Sequence, residues 1–131
     1  MTHAAPFLMF QDGNAEEAMT YYVGLIPGSK VVDVDRYGPG DPFPEGSVRL
    51  ARFEIAGTPA RCTDSPPVHD FNFTPSFSFF VDTESQSEFE RIYASLSENG
   101  SVMMPPDNYG FSQRFAFVTD RYGVSWQINL P

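Results

Sequence analysis

The sequence predicts an α+β fold built from two paired β-α-β-β-β modules that form a cupped mixed sheet. Three observations carry this prediction. Apolar periodicity changes from strand-like to helical and back in the same order in each half. A shift of 70 residues lays Phe7 on Phe77, Phe10 on Phe80, Asp12 on Asp82, Met19 on Phe89, Tyr22 on Ile92, Ile26 on Leu96 and Val32 on Val102, and an internal repeat of this kind sets the architecture. The chain closes on FAFVTDRYGVSWQINL, in which Val124, Trp126, Ile128 and Leu130 alternate with Ser125, Gln127 and Asn129. Strict alternation marks a strand with two different faces. One module alone would leave a sheet face bare, whereas two side by side share a core and enclose a concave surface.

The elements follow in order. Pro6 to Gln11 reads as a short buried strand, and Asp12-Gly13 turns the chain. Asn14 and Glu17 have capping-box spacing, and Ala15, Ala18, Met19, Tyr22, Leu25 and Ile26 share one helical stripe. Pro27-Gly28 stops that helix. Lys30 to Asp35 is a strand, Gly38 to Gly46 a loop rich in proline and glycine, Val48 to Ile55 and Ala60 to Asp64 two further strands. After the stiff Ser65 to Thr74 connector the pattern restarts. Phe77 to Val81 is a strand, and Thr83 with Gln86 opens a helix striped by Phe89, Ile92, Tyr93 and Leu96. Asn99-Gly100 ends it. Val102 to Met104 is a strand, Pro105 to Ser112 a loop, and the closing hairpin completes the second module.

At 131 residues the chain is expected to be one domain, 1–131, with module one at about 5–64, the connector at 65–75 and module two at 76–131. Hydrophobic residues make up 41% and charged ones 19%, which excludes a disordered chain. A net charge of −9 argues against nucleic acid or an anionic membrane surface as partner. A single cysteine allows no internal disulfide and fits a reducing compartment. Met1 to Pro6 carries no basic run, and no long apolar stretch follows. The expected location is therefore the cytoplasm.

The stretches PFLMFQDGNAEEAMTYYVGLIPGSKV (6–31) and DRYGVSWQINL (120–130), set in paired β-α-β-β-β modules, resemble the PhnB-like branch of the vicinal oxygen chelate superfamily. That superfamily includes glyoxalase I, extradiol dioxygenases and the bleomycin- and fosfomycin-resistance proteins. The resemblance covers nearly the whole chain and implies a glyoxalase-like fold. The branch is often labelled after a demethylubiquinone methyltransferase. Methyl transfer from S-adenosylmethionine usually relies on a doubly wound sheet with a glycine-rich turn after its first strand. This chain has no G-x-G-x-x-G and a different element order, so methyltransferase activity is not expected.

In metal-dependent members, ligands come from the first and last strands of each module. The resemblance carries these places onto Pro6 or Phe7, onto Cys62 with Asp64 two residues on, onto Ser76 or Phe77, and onto Gln127, where active members carry glutamate. Divalent cations want anionic oxygens, imidazole or thiolate. This set implies no metal and no other cofactor. What remains is a cup for a small molecule. The resemblance turns Gln127 into it, where parity alone would equally allow a solvated sheet face; with Gln127 inward, strand parity adds Ser125, Asn129, Ser76, Ser78, Phe80, Pro6, Leu8 and Phe10 to its lining. Phe77, Phe79 and Val81 are expected to meet the second helix. Cys62 is a further ligand-binding candidate, although a lone cysteine is more often a buried apolar residue. A Cys62–His69 dyad has no geometric support from the spacing, and a turn cap is the alternative role for Asp64. Arg36, Arg49, Arg52, Arg61 and Arg114 lie on or near strands, where one of them can grip a carboxylate or phosphonate unless surface acids pair with it. Tyr109 and Phe111 sit in a loop suited to a lid or to a dimer contact.

The expected function is metal-free binding of a small aromatic or amphipathic molecule. The alternative is a lyase-, isomerase- or dioxygenase-type enzyme with an atypical metal or cysteine-based site. The resemblance also implies a homodimer.

Overall fold

The computed structural model describes all 131 residues and divides into two compact units, Met1–His69 and Asp70–Pro131. In the first unit, β1 (Phe7–Phe10), α1 (Ala15–Leu25), β2 (Lys30–Arg36), β3 (Val48–Ile55) and β4 (Thr58–Asp64) follow in order. The second repeats the order as β5 (Ser78–Asp82), α2 (Gln86–Ser97), β6 (Ser101–Asp107), β7 (Arg114–Thr119) and β8 (Ser125–Leu130). Each unit holds one four-stranded mixed sheet, ordered β1-β4-β3-β2 and β5-β8-β7-β6. The first and last strands of each unit run parallel and the other pairs antiparallel. The helix is the crossover between antiparallel edge strand and parallel pair, so it covers one sheet face and leaves the other open. Neither helix is long and apolar enough to cross a membrane.

In the first unit Ala15, Ala18, Met19 and Tyr22 of α1 are buried. They pack on the face that carries Ala51, Phe53, Ala60 and Cys62, all buried. In the second, Phe89, Ile92 and Leu96 of α2 are buried with Phe79, Val81, Ala116, Val118, Trp126 and Ile128. The Phe79 and Trp126 rings stack at 4.7 Å between centroids. Each valine, isoleucine, leucine, methionine or phenylalanine side chain so enclosed contributes about 1.5–3 kcal/mol relative to an exposed one.

Both helix starts differ from the capping boxes that the spacing predicts. Asn14 makes no side-chain cap bond. Asp64, at the far end of β4, caps α1 instead: its Oδ1 accepts from Ala15 N at 3.0 Å and its Oδ2 from Val48 N at 2.8 Å. A carboxylate there also complements the positive end of the helix dipole. In α2 the cap is Ser85, whose Oγ accepts from Glu88 N at 3.2 Å, while Glu88 Oε1 accepts from Glu84 N. Thr83 is buried and donates to Asn129 O at 2.9 Å, tying the end of β5 to β8.

Strand β6 is longer than the three residues the sequence suggests and runs through Pro105 and Pro106. It is an edge strand whose register shifts between Val102 and Met104 and again between Met104 and Asp107. Proline is tolerated at such places because no ladder bond is lost.

Candidate ligand-binding face

The closing strand fixes the site. Trp126 and Ile128 are fully buried beneath α2, which leaves Ser125, Gln127 and Asn129 on the open face of the second sheet. Gln127 lies opposite Phe80 in the parallel pair and opposite Phe117 in the antiparallel pair. Its amide therefore sits between two aromatic side chains. Gln127 Nε2 donates to Ser78 Oγ at 2.8 Å, which orients the amide and leaves its carbonyl oxygen with no bond from that contact.

Around this pair lies an aromatic cluster. Phe80 is 53% exposed, and its ring stands 6.2 Å from that of Phe115. Phe111, 61% exposed, meets Phe115 edge-on at 5.0 Å, and Tyr109 does so at 6.0 Å. The loop that carries them is held in place. Tyr109 and Gly110 both have left-handed φ, 53° and 85°. Asn108 Oδ1 accepts from Gly110 N at 3.0 Å, and the Tyr109 hydroxyl donates to Pro105 O. An exposed aromatic surface with a few fixed polar groups suits stacking against a planar ligand.

Not every expected residue belongs to this surface. Ser125 is on the open face but buried, 3.4 Å from Thr119 Oγ1. Asn129 is buried too, donating to Asp82 Oδ1 at 2.9 Å and accepting from Ser112. Ser76 precedes β5, is exposed, and pairs with Thr74 Oγ1 at 2.7 Å. Phe77 likewise precedes the strand and is 63% exposed, so it does not meet α2 as expected.

The first unit corrects the expected parity. Leu8 and Phe10 are buried, in register with Cys62 and Asp64 on the face under α1. Phe7 and Met9 take the open face, opposite Arg61 and Thr63. The cause is one residue of loop. Four residues, 11–14, join β1 to α1, whereas three, 83–85, join β5 to α2. A shift of 70 aligns the helices but slips the first strands by one, which exchanges their faces. Cys62 is also withdrawn from the lining: it is fully buried. Burial, reinforced by the nearby Asp64 charge, pushes its thiol up to about 12. A neutral, enclosed thiol is no nucleophile. His69 does not approach it as a dyad partner; His69 Nε2 lies 3.1 Å from Ser65 Oγ.

The superfamily's metal does not fit these residues. The strands that would supply ligands present Phe7 and Thr63 in one unit and Ser78 and Gln127 in the other. These are a ring, two hydroxyls and a neutral amide, with no anionic or imidazole donor. No three His, Cys, Asp or Glu side chains gather in a metal-holding group.

Phe117 was missed as a member of the face, and Phe115, which is buried, as the ring that supports it. The hairpin holds the signal that finds them. Its turn pairs Thr119 with Ser125, so every inward residue of β8 fixes its neighbour on β7.

Two mixed sheets of this order, each backed by one helix, define a glyoxalase-like fold of the vicinal oxygen chelate superfamily. The fosfomycin resistance protein FosX from Mesorhizobium loti shares the fold at 11% identity and a TM-score of 0.59, over 99% of this chain and 92% of its own. Within that superfamily the chain belongs to the PhnB-like family, whose model, described as 3-demethylubiquinone-9 3-methyltransferase, matches residues 2–129. The PhnB protein from Bacillus cereus is 39% identical, with a TM-score of 0.93 over 99% of this chain and 100% of its own. Protein YjdN of Escherichia coli (strain K12) is 27% identical over 139 residues, 96% of this chain and 93% of its own.

Proposed function

We propose that the protein binds a small aromatic or amphipathic molecule on the open face of its second sheet, without a metal. The observation that carries this is the Gln127–Ser78 pair set between Phe80 and Phe117, with Tyr109, Phe111 and Phe115 alongside. Stacking on exposed rings supplies affinity, and the amide supplies a hydrogen bond that orients the ligand. The donor set gives a metal-dependent lyase, isomerase or dioxygenase no foothold, and burial of Cys62 removes the nucleophile from a cysteine-based one. The activity in the family description has no support from the sheets, both mixed rather than doubly wound.

The test is a thermal-shift screen with neutral planar aromatics on the wild type and on Gln127→Leu. A ligand that binds the folded state raises the melting temperature with its concentration. Stabilisation of the wild type that is cut severalfold in Gln127→Leu supports the reading. Equal shifts in both, or none in the wild type, would defeat it.

The reading includes a second copy of the chain as partner. Exposed Val31, Val102 and Met103 leave apolar surface on both units, which suits an interface between copies. Light scattering that finds only monomer at micromolar concentration would remove this part.

A further inference from the structure

We propose that Arg61 anchors an oxyanion site on the open face of the first unit, taking the carboxylate of a small aromatic acid whose ring lies against Phe7. The proposal rests on residues other than those of the aromatic face of the second unit.

Six of the chain's arginines are engaged. Arg36 bonds Glu16 at 2.6 Å, Arg49 bonds Asp35 at 2.8 Å, and Arg52 chelates Asp33. Arg114 bonds Glu90 at 3.1 Å and lies over the Phe89 ring, and Arg121 approaches Glu98 at 4.0 Å. Arg91 has a partner as well. Arg61 makes no contact ion pair, although its charge reaches the Asp33 carboxylate that Arg52 holds, in a chain with 17 Asp and Glu against 8 Lys and Arg. A guanidinium without a contact partner runs against that excess of acid.

Its setting favours an anion. Arg61 lies directly opposite Arg52 in the β3–β4 pair, and like charges so placed repel. Arg52 is drawn off by Asp33, which leaves the Arg61 fork free. On its other side Arg61 is in register with Phe7, 54% exposed on the same face. The side chain borders a hollow of about 300 Å³ that is also lined by His3, Val32, Arg52, Glu54 and Pro59. Glu54, the one acid in that lining, lies opposite Lys30 of β2, and Asp33 and Asp35, which border a neighbouring hollow with Arg61, are held by Arg52 and Arg49. A carboxylate accepting both prongs of the Arg61 fork would offset the repulsion from Arg52, and its ring would cover Phe7.

The probe is benzoate, followed by ¹H–¹⁵N NMR titration of the full chain at low ionic strength. Saturable shifts are expected at residues 7–8 and 60–62. Arg61→Gln should weaken binding at least about fivefold, as loss of a charge-assisted hydrogen bond does. Arg61→Lys should fall between, because it keeps the charge but loses the fork. Arg114→Gln, in the second unit, should bind as the wild type does. Undiminished affinity in Arg61→Gln would overturn the proposal, as would equal binding of neutral benzyl alcohol or the absence of saturable shifts in the wild type. Inorganic phosphate binding as tightly as benzoate would overturn the place given to Phe7.

Discussion

Trp126 donates its indole N–H to Asp120 Oδ2 at 2.9 Å, with both residues buried. The other carboxylate oxygen accepts from Tyr122 N at 2.8 Å and Val124 N at 3.0 Å. One side chain thus closes the β7–β8 turn and pins the largest ring of the second core. The DRYGVSW stretch earns its place in the fold through this bond. Asp120→Ala leaves two buried donors and one half-buried donor unmet, which should cost about 2–3 kcal/mol or more on the usual penalty per unsatisfied group. Urea unfolding reads the loss directly, and a change below about 1 kcal/mol would contradict the role given to Asp120.

Gly100 sits where a Cβ would lie 2.1 Å from Thr119 O. Asn99 before it takes the left-handed conformation, φ 60°, that ends α2. Nothing in that contact is a flexible side chain, so the backbone must move. Gly100→Ala should destabilise by about 1–3 kcal/mol, the range for overpacking a tight site. Asn99→Gly should be nearly neutral by the same denaturation assay.

Cys62 makes a pH prediction. Its folded thiol is raised from 9.0 to about 12, first by burial and then by Asp64. The unfolded thiol ionises near its ordinary value, so above that pH the unfolded state holds fewer protons. The stabilising contribution is complete below pH 9 and drains away as pH climbs toward 12. Relative to Cys62→Ala, the wild type should lose at most about 1.4 kcal/mol per pH unit in that window. Disulfide reagents at pH 8 should leave the native thiol untouched and label it on unfolding. Rapid native labelling would mean the thiol is not enclosed.

Phe111→Ala separates ligand contact from folding. The ring is exposed, so stability should change by less than about 0.5 kcal/mol, as for surface sites generally. Any aromatic ligand that stabilises the wild type should lose affinity by about five- to tenfold, the worth of an aromatic contact. An unaltered ligand-induced shift would place the binding surface away from this loop.

Much of this was legible in the residues. The switch between periods two and 3.6 gives the ten elements, because burial on one face imposes that spacing on strand and helix alike. Alternation in β8 gives the inward set Ser125, Gln127 and Asn129, since Trp126 and Ile128 cannot be left in water. What parity could not supply is which inward residue remains reachable: Ser125 and Asn129 are buried and Gln127 is not.

The sequence by itself determined the two β-α-β-β-β units, the helix stripes and the phase of the last strand. Those are local properties, written within a few residues of one another. Tertiary structure alone decided the rest. One extra residue between β1 and α1 turned Leu8 and Phe10 under the helix and Phe7 and Met9 to the open face. Asp64 became a helix cap 49 positions from the amide it receives. Gln127 found Ser78 across the same separation. Contacts between residues so far apart depend on which strands pair and in what register, and no local spacing records that.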